Sequence, residues 1–190
     1  GLTYTLNLRT GMKWSDGTAF TASNYQDWWD NVILNEEINP GRNGQLGWSG
    51  YSPTGITAVD DLTVQFTLSE AADGFLDQLA TYRIGGFTLH GRIADGSYGP
   101  WHYMKDYHRD FVADQAAYDA EVEEAGHENW VLYFKEKSNP LRNGEVPVVS
   151  PWINTSPITE QIYTWERNPY YWAVDPAGNQ LPYIDKISMI

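Results

Sequence analysis

Twenty-five carboxylates, four histidines and no cysteine bound the chemistry that this 190-residue chain can hold. The histidines stand at 90, 102, 108 and 127. A zinc-binding helix of the HExxH kind needs two histidines four apart on one face, with a glutamate beside the first. His127-Glu128-Asn129-Trp130-Val131 opens that way but puts Val131 at the second ligand position. His102 and His108 are six apart, a poor spacing for one helical face, and read plainly as surface residues. No thiolate can serve as nucleophile or metal ligand. Gly47-Trp48-Ser49-Gly50-Tyr51 sets a serine beside glycine without the Gly-x-Ser-x-Gly spacing of a nucleophile elbow. Neither Gly-rich phosphate cradle is present. The stretch from Asp175 to Asp185 lacks the spacing and the closing glutamate of a calcium loop. Spacing in sequence does not single out a glycosidase pair among so many carboxylates. The chain therefore reads as non-enzymatic, with no metal set and no cofactor fingerprint.

Charge narrows the partners. Twelve basic residues against 25 acidic ones give a net charge of −13 and a pI near 4.5. Such a surface repels a phosphate backbone and an anionic bilayer, so nucleic acid and direct membrane insertion are not expected. No apolar run reaches the roughly 18 residues of a spanning helix, and no leader pattern is visible. Apolar residues make up 42% and charged residues 19%, a composition that folds. The chain opens at Gly1 in a strand pattern without Met and stops in an apolar run, so it is expected to be an excised piece. A missing targeting signal then says little about location.

The elements that must position any site follow from periodicity. Leu2, Tyr4, Leu6 and Leu8 alternate with polar residues, which predicts a half-buried strand, followed by a Gly11 turn, an inward Trp14 and an Asp16-Gly17 turn. Thr21 is the expected N-cap of a helix over about 22–34, with Tyr25, Trp28, Trp29, Val32 and Ile33 on its apolar face. A long loop covers 35–55. ITAV and LTVQFTL, parted by Asp60-Asp61, predict a hairpin. A short helix follows near Asp73, then a Gly-rich stretch over 83–100. WHYMKDYH reads as a short helix. AAYDAEVEEAG and ENWVLYFKEK read together as a polar helical hairpin, an appendage more than core, with Gly126 as the stop of its first helix. Residues 138–160 read as loop, IYTWER as a strand, and a last strand starts near Ile184.

Nine Trp, 13 Tyr and six Phe are many for a chain of this size. Trp48, Tyr51 and Trp152 sit in long loops where no period demands burial, which makes them the candidate ligand-stacking residues. The segment 164–187 carries five aromatics and three prolines. Pro169 fixes its own φ and extends Asn168, so Tyr170, Tyr171 and Trp172 can clamp the segment down. Gly178-Asn179 supplies a turn. This predicts an anchored connector.

Three segments carry a resemblance. GMKWSDGTAFTASN at 11–24 resembles a segment of the bacterial extracellular solute-binding proteins of family 5, through Gly11, Lys13, Trp14, Asp16, Gly17, Phe20, Thr21 and Ala22. VDDLTVQFTLSEA at 59–71 and ERNPYYWAVDPAGNQLPYIDKI at 166–187 are similar to a second and a third segment, in the same order. The family comprises oligopeptide-, dipeptide- and nickel-binding components of ABC importers, with oligosaccharide carriers in its neighbourhood. The resemblance implies an α+β fold: part of the first lobe of a two-lobed, class II periplasmic-binding-protein-like chain, a mixed sheet with flanking helices and a helical insert over about 100–137. It implies capture of a peptide or an oligosaccharide outside the cytoplasmic membrane for a membrane permease, in the periplasm or tethered to the membrane in a Gram-positive source. A carbohydrate-binding module and a carbohydrate-active enzyme domain are the alternatives.

Overall fold

The computed structural model describes residues 1–41, 53–80 and 96–190. The chain divides into two compact units, Gly1–Thr10 with Thr21–Trp101, and Gly11–Phe20 with His102–Ile190.

The first unit is built on an antiparallel sheet of β1 (Thr3–Asn7), β2 (Pro53–Asp60) and β3 (Thr63–Leu68) in the order β1-β3-β2. The predicted hairpin is therefore present, turning at Asp61-Leu62. Register explains the faces. Tyr4 opposes Phe66 and Leu6 opposes Val64, while Thr5 opposes Gln65 and Thr3 opposes Thr67. One face is apolar and the other is a solvated row of Thr and Gln. Helix α1 (Ser23–Trp28) continues as a π turn over Trp29–Ile33, and Tyr25, Trp28, Trp29, Val32 and Ile33 are all buried. Tyr25 meets Phe66 edge-on at 6.0 Å, and Gln26 Oε1 accepts the Ala58 N–H at 2.8 Å. The π register shows in the Leu34 N–H, which donates to the Trp29 carbonyl at 3.0 Å. Helix α2 (Phe75–Leu79) stacks Phe75 against Tyr4 and Phe66. Burying Phe66 and Phe75 each contributes about 2–3 kcal/mol.

Thr21 does not cap α1 as expected. Its hydroxyl meets Ser23 Oγ at 2.9 Å, and its own N–H donates to Asn24 Oδ1 at 2.9 Å. Ala22 takes the cap position with no side-chain cap bond, and its N–H donates to the Asp61 carbonyl. The helix start is thus held by the β2–β3 turn and by Asn24 reaching back, the second half of a capping box without the first.

In the second unit, residues 11–20 form a tight loop closed by a Lys13–Ala19 bridge, with Trp14 0% exposed as expected. Helix α3 (Trp101–Met104) passes into a 3₁₀ turn, Lys105–Tyr107. Helices α4 (Gln115–Glu124) and α5 (Trp130–Lys137) match the predicted hairpin, capped by Asp114 and Asn129. Gly126 has the positive φ of +81° that ends α4. The hairpin is not a bare appendage, because it has a core of its own. His108, read from sequence as a surface residue, is 1% exposed and lies against the rings of Phe111, Trp130 and Phe134. Its Nδ1 accepts the Asp110 N–H at 3.3 Å, which replaces the water a buried imidazole would otherwise need.

A second antiparallel sheet orders β4 (Trp152–Asn154), β5 (Tyr163–Arg167) and β6 (Lys186–Met189) as β4-β5-β6. The strand β4 lies inside 138–160, where only loop was expected. Three residues are too few to display a period of two, and Pro, Asn and Thr surround them.

Candidate functional site

The first and third resembling segments meet in one junction within the second unit. Ser15 makes a two-way contact with Val148: its N–H donates to the Val148 carbonyl at 2.9 Å, and its Oγ accepts the Val148 N–H at 3.0 Å. Asn168, 0% exposed, grips the same strip from the other side. Its Nδ2 donates to the Ser150 carbonyl at 2.9 Å, its Oδ1 accepts the Tyr170 N–H at 2.9 Å, and its N–H donates to the Pro151 carbonyl. Tyr170 then lies over Gly17, where an added Cβ would stand 3.1 Å from the phenol oxygen. Gly17 also has a φ of +89°, so two constraints demand glycine there. Lys13 Nζ sits 5.2 Å from the Tyr170 ring centre.

His102 closes the junction. Its Nε2 lies 2.8 Å from Asp16 Oδ2, and its ring stands 5.8 Å from Trp14. It is half-buried and not the surface residue the sequence suggested. Partial burial pushes the Asp16 carboxyl up, but the Thr18 N–H and His102 together outweigh it and hold the group below its ordinary value. The Ser15 hydroxyl, next to Asp16 in sequence, accepts the Val148 N–H. Among the described residues the buried His102 Nδ1 has no partner. The pair ties the 11–20 loop to His102.

Residues 168–185 are folded back on themselves, mainly by amides. Gln180 Nε2 donates to the Pro169 and Tyr171 carbonyls at 2.8 and 2.9 Å. The Asp175 carboxylate accepts the Ala177 and Asn179 N–H groups, Asn179 Nδ2 and the Tyr183 hydroxyl. Those bonds, Tyr183 first and Asn179 next, lower the carboxyl to a pKa of about 2. Of the aromatic clamp, Tyr170 makes the contacts described, while Trp172 stays 44% exposed.

Beside the junction lies a shallow cleft of about 330 Å³, lined by Gly144, Glu145, Ile153, Asn154, Thr155 and Ser156 with Pro157 at its end. Thr155 and Thr164 share a hydrogen bond at 2.8 Å, Ser156 Oγ accepts the Thr164 N–H at 2.8 Å, and Asn154 Nδ2 holds the Pro140 and Leu141 carbonyls. The cleft can offer the Glu145 carboxylate and an apolar wall; its hydroxyls are already engaged. Among the described residues no group of three or more His, Cys, Asp or Glu is gathered to hold a metal, and no helix is long and apolar enough to cross a membrane.

Of the candidate stacking residues, Trp48 and Tyr51 lie outside the described residues. Trp152 lies on β4, half-buried, with its indole N–H donating to the Ile184 carbonyl at 3.3 Å. It is not part of the cleft lining. Sequence reasoning missed Ser15, His102 and Asn168. The signal for Ser15 and Asn168 was that two of the resembling segments carried small polar residues with no evident partner; for His102 there was none.

Comparison with known proteins places these features. The oligopeptide-binding protein OppA matches with a TM-score of 0.81 at 36% identity, over 99% of this chain and 27% of that one. The periplasmic binding protein MelB of Agrobacterium fabrum C58, solved with stachyose, matches with a TM-score of 0.63 at 26% identity, over 99% of this chain and 24% of that one. The periplasmic alpha-galactoside-binding protein of Rhizobium meliloti (strain 1021) is 28% identical over 98% of this chain and 23% of its own length. The chain thus spans about a quarter of each of these relatives. The junction joins two segments that resemble one family, and the profile of that family covers all of residues 1–190, so the chain belongs to the bacterial extracellular solute-binding proteins, family 5 Middle.

Proposed function

We propose that this chain forms part of the first lobe of the substrate-binding component of an ABC importer. That protein captures a peptide or an oligosaccharide outside the cytoplasmic membrane and delivers it to a permease. It works in the periplasm, or tethered to the membrane in a Gram-positive cell. Residues 100–137 are a helical insert within that lobe. The observation that carries the reading is the TM-score of 0.81 to an oligopeptide-binding protein over nearly the whole chain. The oligosaccharide alternative rests on the weaker likeness to an alpha-galactoside binder and to a binding protein holding stachyose. No covalent step is required: enclosure between lobes, backbone hydrogen bonds and aromatic stacking supply affinity. The site chemistry is in keeping with this, since Asp16 and His102 are paired with one another and the cleft hydroxyls are bonded within the fold. Trp48, Tyr51 and Trp152 are the proposed ligand-stacking residues. Trp152 has only a ring face to offer, its N–H being engaged.

Tryptophan fluorescence of the full-length protein, titrated with a peptide pool and with stachyose, tests the reading. One ligand class should give a saturable change in the full-length protein and none in residues 1–190 alone. Equal affinity for the isolated 190 residues would replace the two-lobe reading with a self-sufficient binding module.

A further inference from the structure

The sequence holds two Asn-Gly pairs, Asn43-Gly44 and Asn143-Gly144, and the second lies within the described residues. An asparagine before glycine is chemically labile. Glycine has no Cβ to shield its backbone nitrogen, which can attack the asparagine Cγ and expel the side-chain nitrogen. The fold nevertheless requires both residues. Gly144 lies so close to the Asn154 carbonyl that an added Cβ would stand 2.7 Å from its oxygen. Asn143 Nδ2 donates to the Tyr103 hydroxyl at 3.0 Å and to the Lys137 carbonyl at 2.8 Å. Its Oδ1 accepts the Glu145 N–H at 3.1 Å. Asn143 thus ties the end of α5 to α3, and Tyr103 passes the link to the Tyr107 hydroxyl at 3.4 Å. The nitrogen that must leave in the reaction is the one that holds Tyr103 and Lys137. The backbone that must turn to bring the Gly144 nitrogen onto Cγ is the one pressed against Asn154.

We infer that Asn143 is a latent site of spontaneous deamidation, which the fold holds shut through the Tyr103 hydroxyl and the Lys137 carbonyl. The step needs no reagent but water. The Gly144 nitrogen bonds to Asn143 Cγ, its proton leaves with the side-chain nitrogen as ammonia, and a cyclic imide remains. Water opens the ring at one carbonyl or the other, to aspartate or to isoaspartate. Either product lacks the Nδ2 donor that Tyr103 and the Lys137 carbonyl require. Isoaspartate also adds a methylene to the main chain beside Gly144, where the Asn154 carbonyl leaves no space. Asn154 in turn holds the Pro140 and Leu141 carbonyls, and Gly144, Glu145 and Asn154 all line the cleft. Deamidation therefore loosens the α3–α5 contact and the cleft together. The inference holds whichever ligand the full-length protein takes.

The full-length protein is incubated at mildly alkaline pH, folded and in guanidinium chloride, and digested with trypsin. Cleavage after Arg142 yields a peptide that begins at Asn143, and mass spectrometry of its fragments follows the conversion. Deamidation at Asn143 should run at least ~10-fold slower in the folded protein than in denaturant, since a held amide reacts only through local opening. Tyr103→Phe keeps the ring, removes the hydroxyl and should speed the reaction in the folded protein about 5-fold. Tyr118→Phe is the control for general loosening, because its hydroxyl donates to the Tyr107 carbonyl at 2.6 Å elsewhere in the same insert. It should leave the Asn143 rate unchanged. Equal rates with and without denaturant would overturn the inference. So would equal acceleration by the two variants, which would make the stability of the whole insert the restraint.

Discussion

Two of the most closely packed places in the molecule are held by opposite means. In the first unit Gly99 presses against the Trp28 ring, where a Cβ would stand only 2.3 Å from an indole carbon. In the second unit Asn168 is just as buried, but it holds its surroundings with an amide that addresses the Ser150 carbonyl and the Tyr170 N–H. The first arrangement draws its stability from area removed from water and from close packing. The second contributes little net energy per bond, but it fixes the relative placement of the stretches near 150 and 170 because each broken bond strands a buried group. Apolar packing therefore sets how firmly the first unit holds, and polar satisfaction sets where the connector goes.

The contrast would break most sharply at Gly99. Gly99→Ala forces the Trp28 ring or the 99–101 backbone to move in a core without slack, a change expected to cost about 3 kcal/mol. Urea denaturation should show the loss, together with a shifted near-ultraviolet signal from the displaced indole. A stability within about 0.5 kcal/mol of the parent would mean that the ring has room to retreat and that the core is looser than described.

Asn168→Ala comes next. It removes a donor and an acceptor together and leaves the Ser150 carbonyl and the Tyr170 N–H without partners, at about 2 kcal/mol. The signature separating it from the first variant is spatial. Hydrogen exchange should quicken at Tyr170 and along the connector while the β1–β3–β2 sheet keeps its protection. Uniform quickening across both units would show that Asn168 supports the whole fold and not the connector alone.

The same contrast explains what could be read from the sequence. The alternation of Val64, Phe66 and Leu68 and the helical spacing of Trp28, Val32 and Ile33 advertise burial, because apolar side chains repeat with the period of their element. Both faces came out as expected. Asn168 advertises nothing, since an Asn before Pro is the usual mark of a turn, and only the carbonyls of Ser150 and Val148 make it a core residue. His108 misled for a related reason: its cover of Phe111, Trp130 and Phe134 comes from two stretches whose meeting no period announces. Thr21 had the right type for a cap but lost the role to Asn24 and the Asp61 carbonyl. At the candidate site, the recurrence of two segments was legible, while their junction through Ser15, Val148 and Asn168 was not, because hydrogen bonds between distant stretches leave no local pattern.

The smallest expected effect sharpens the polar side of the comparison without touching the core. The Tyr183 hydroxyl donates to Asp175 at 2.6 Å on the exposed turn of the connector. It is the foremost reason that the Asp175 carboxyl titrates at about 2 and not at the ordinary 3.8. The same bond holds the Tyr183 phenol above its ordinary 10.0. A carboxyl lowered by folding lends stability above its unfolded value and loses it as the pH falls from about 4 to about 2. A phenol raised by folding lends stability below its unfolded value and loses it as the pH climbs past 10.0. Tyr183→Phe should therefore leave the fold intact at neutral pH and move the Asp175 titration, followed by carbon NMR, up toward 3.8. If that titration stays near 2, the Ala177 and Asn179 contacts suffice by themselves. The turn would then be closed by its backbone, and the Tyr183 hydroxyl would be left with no role in it.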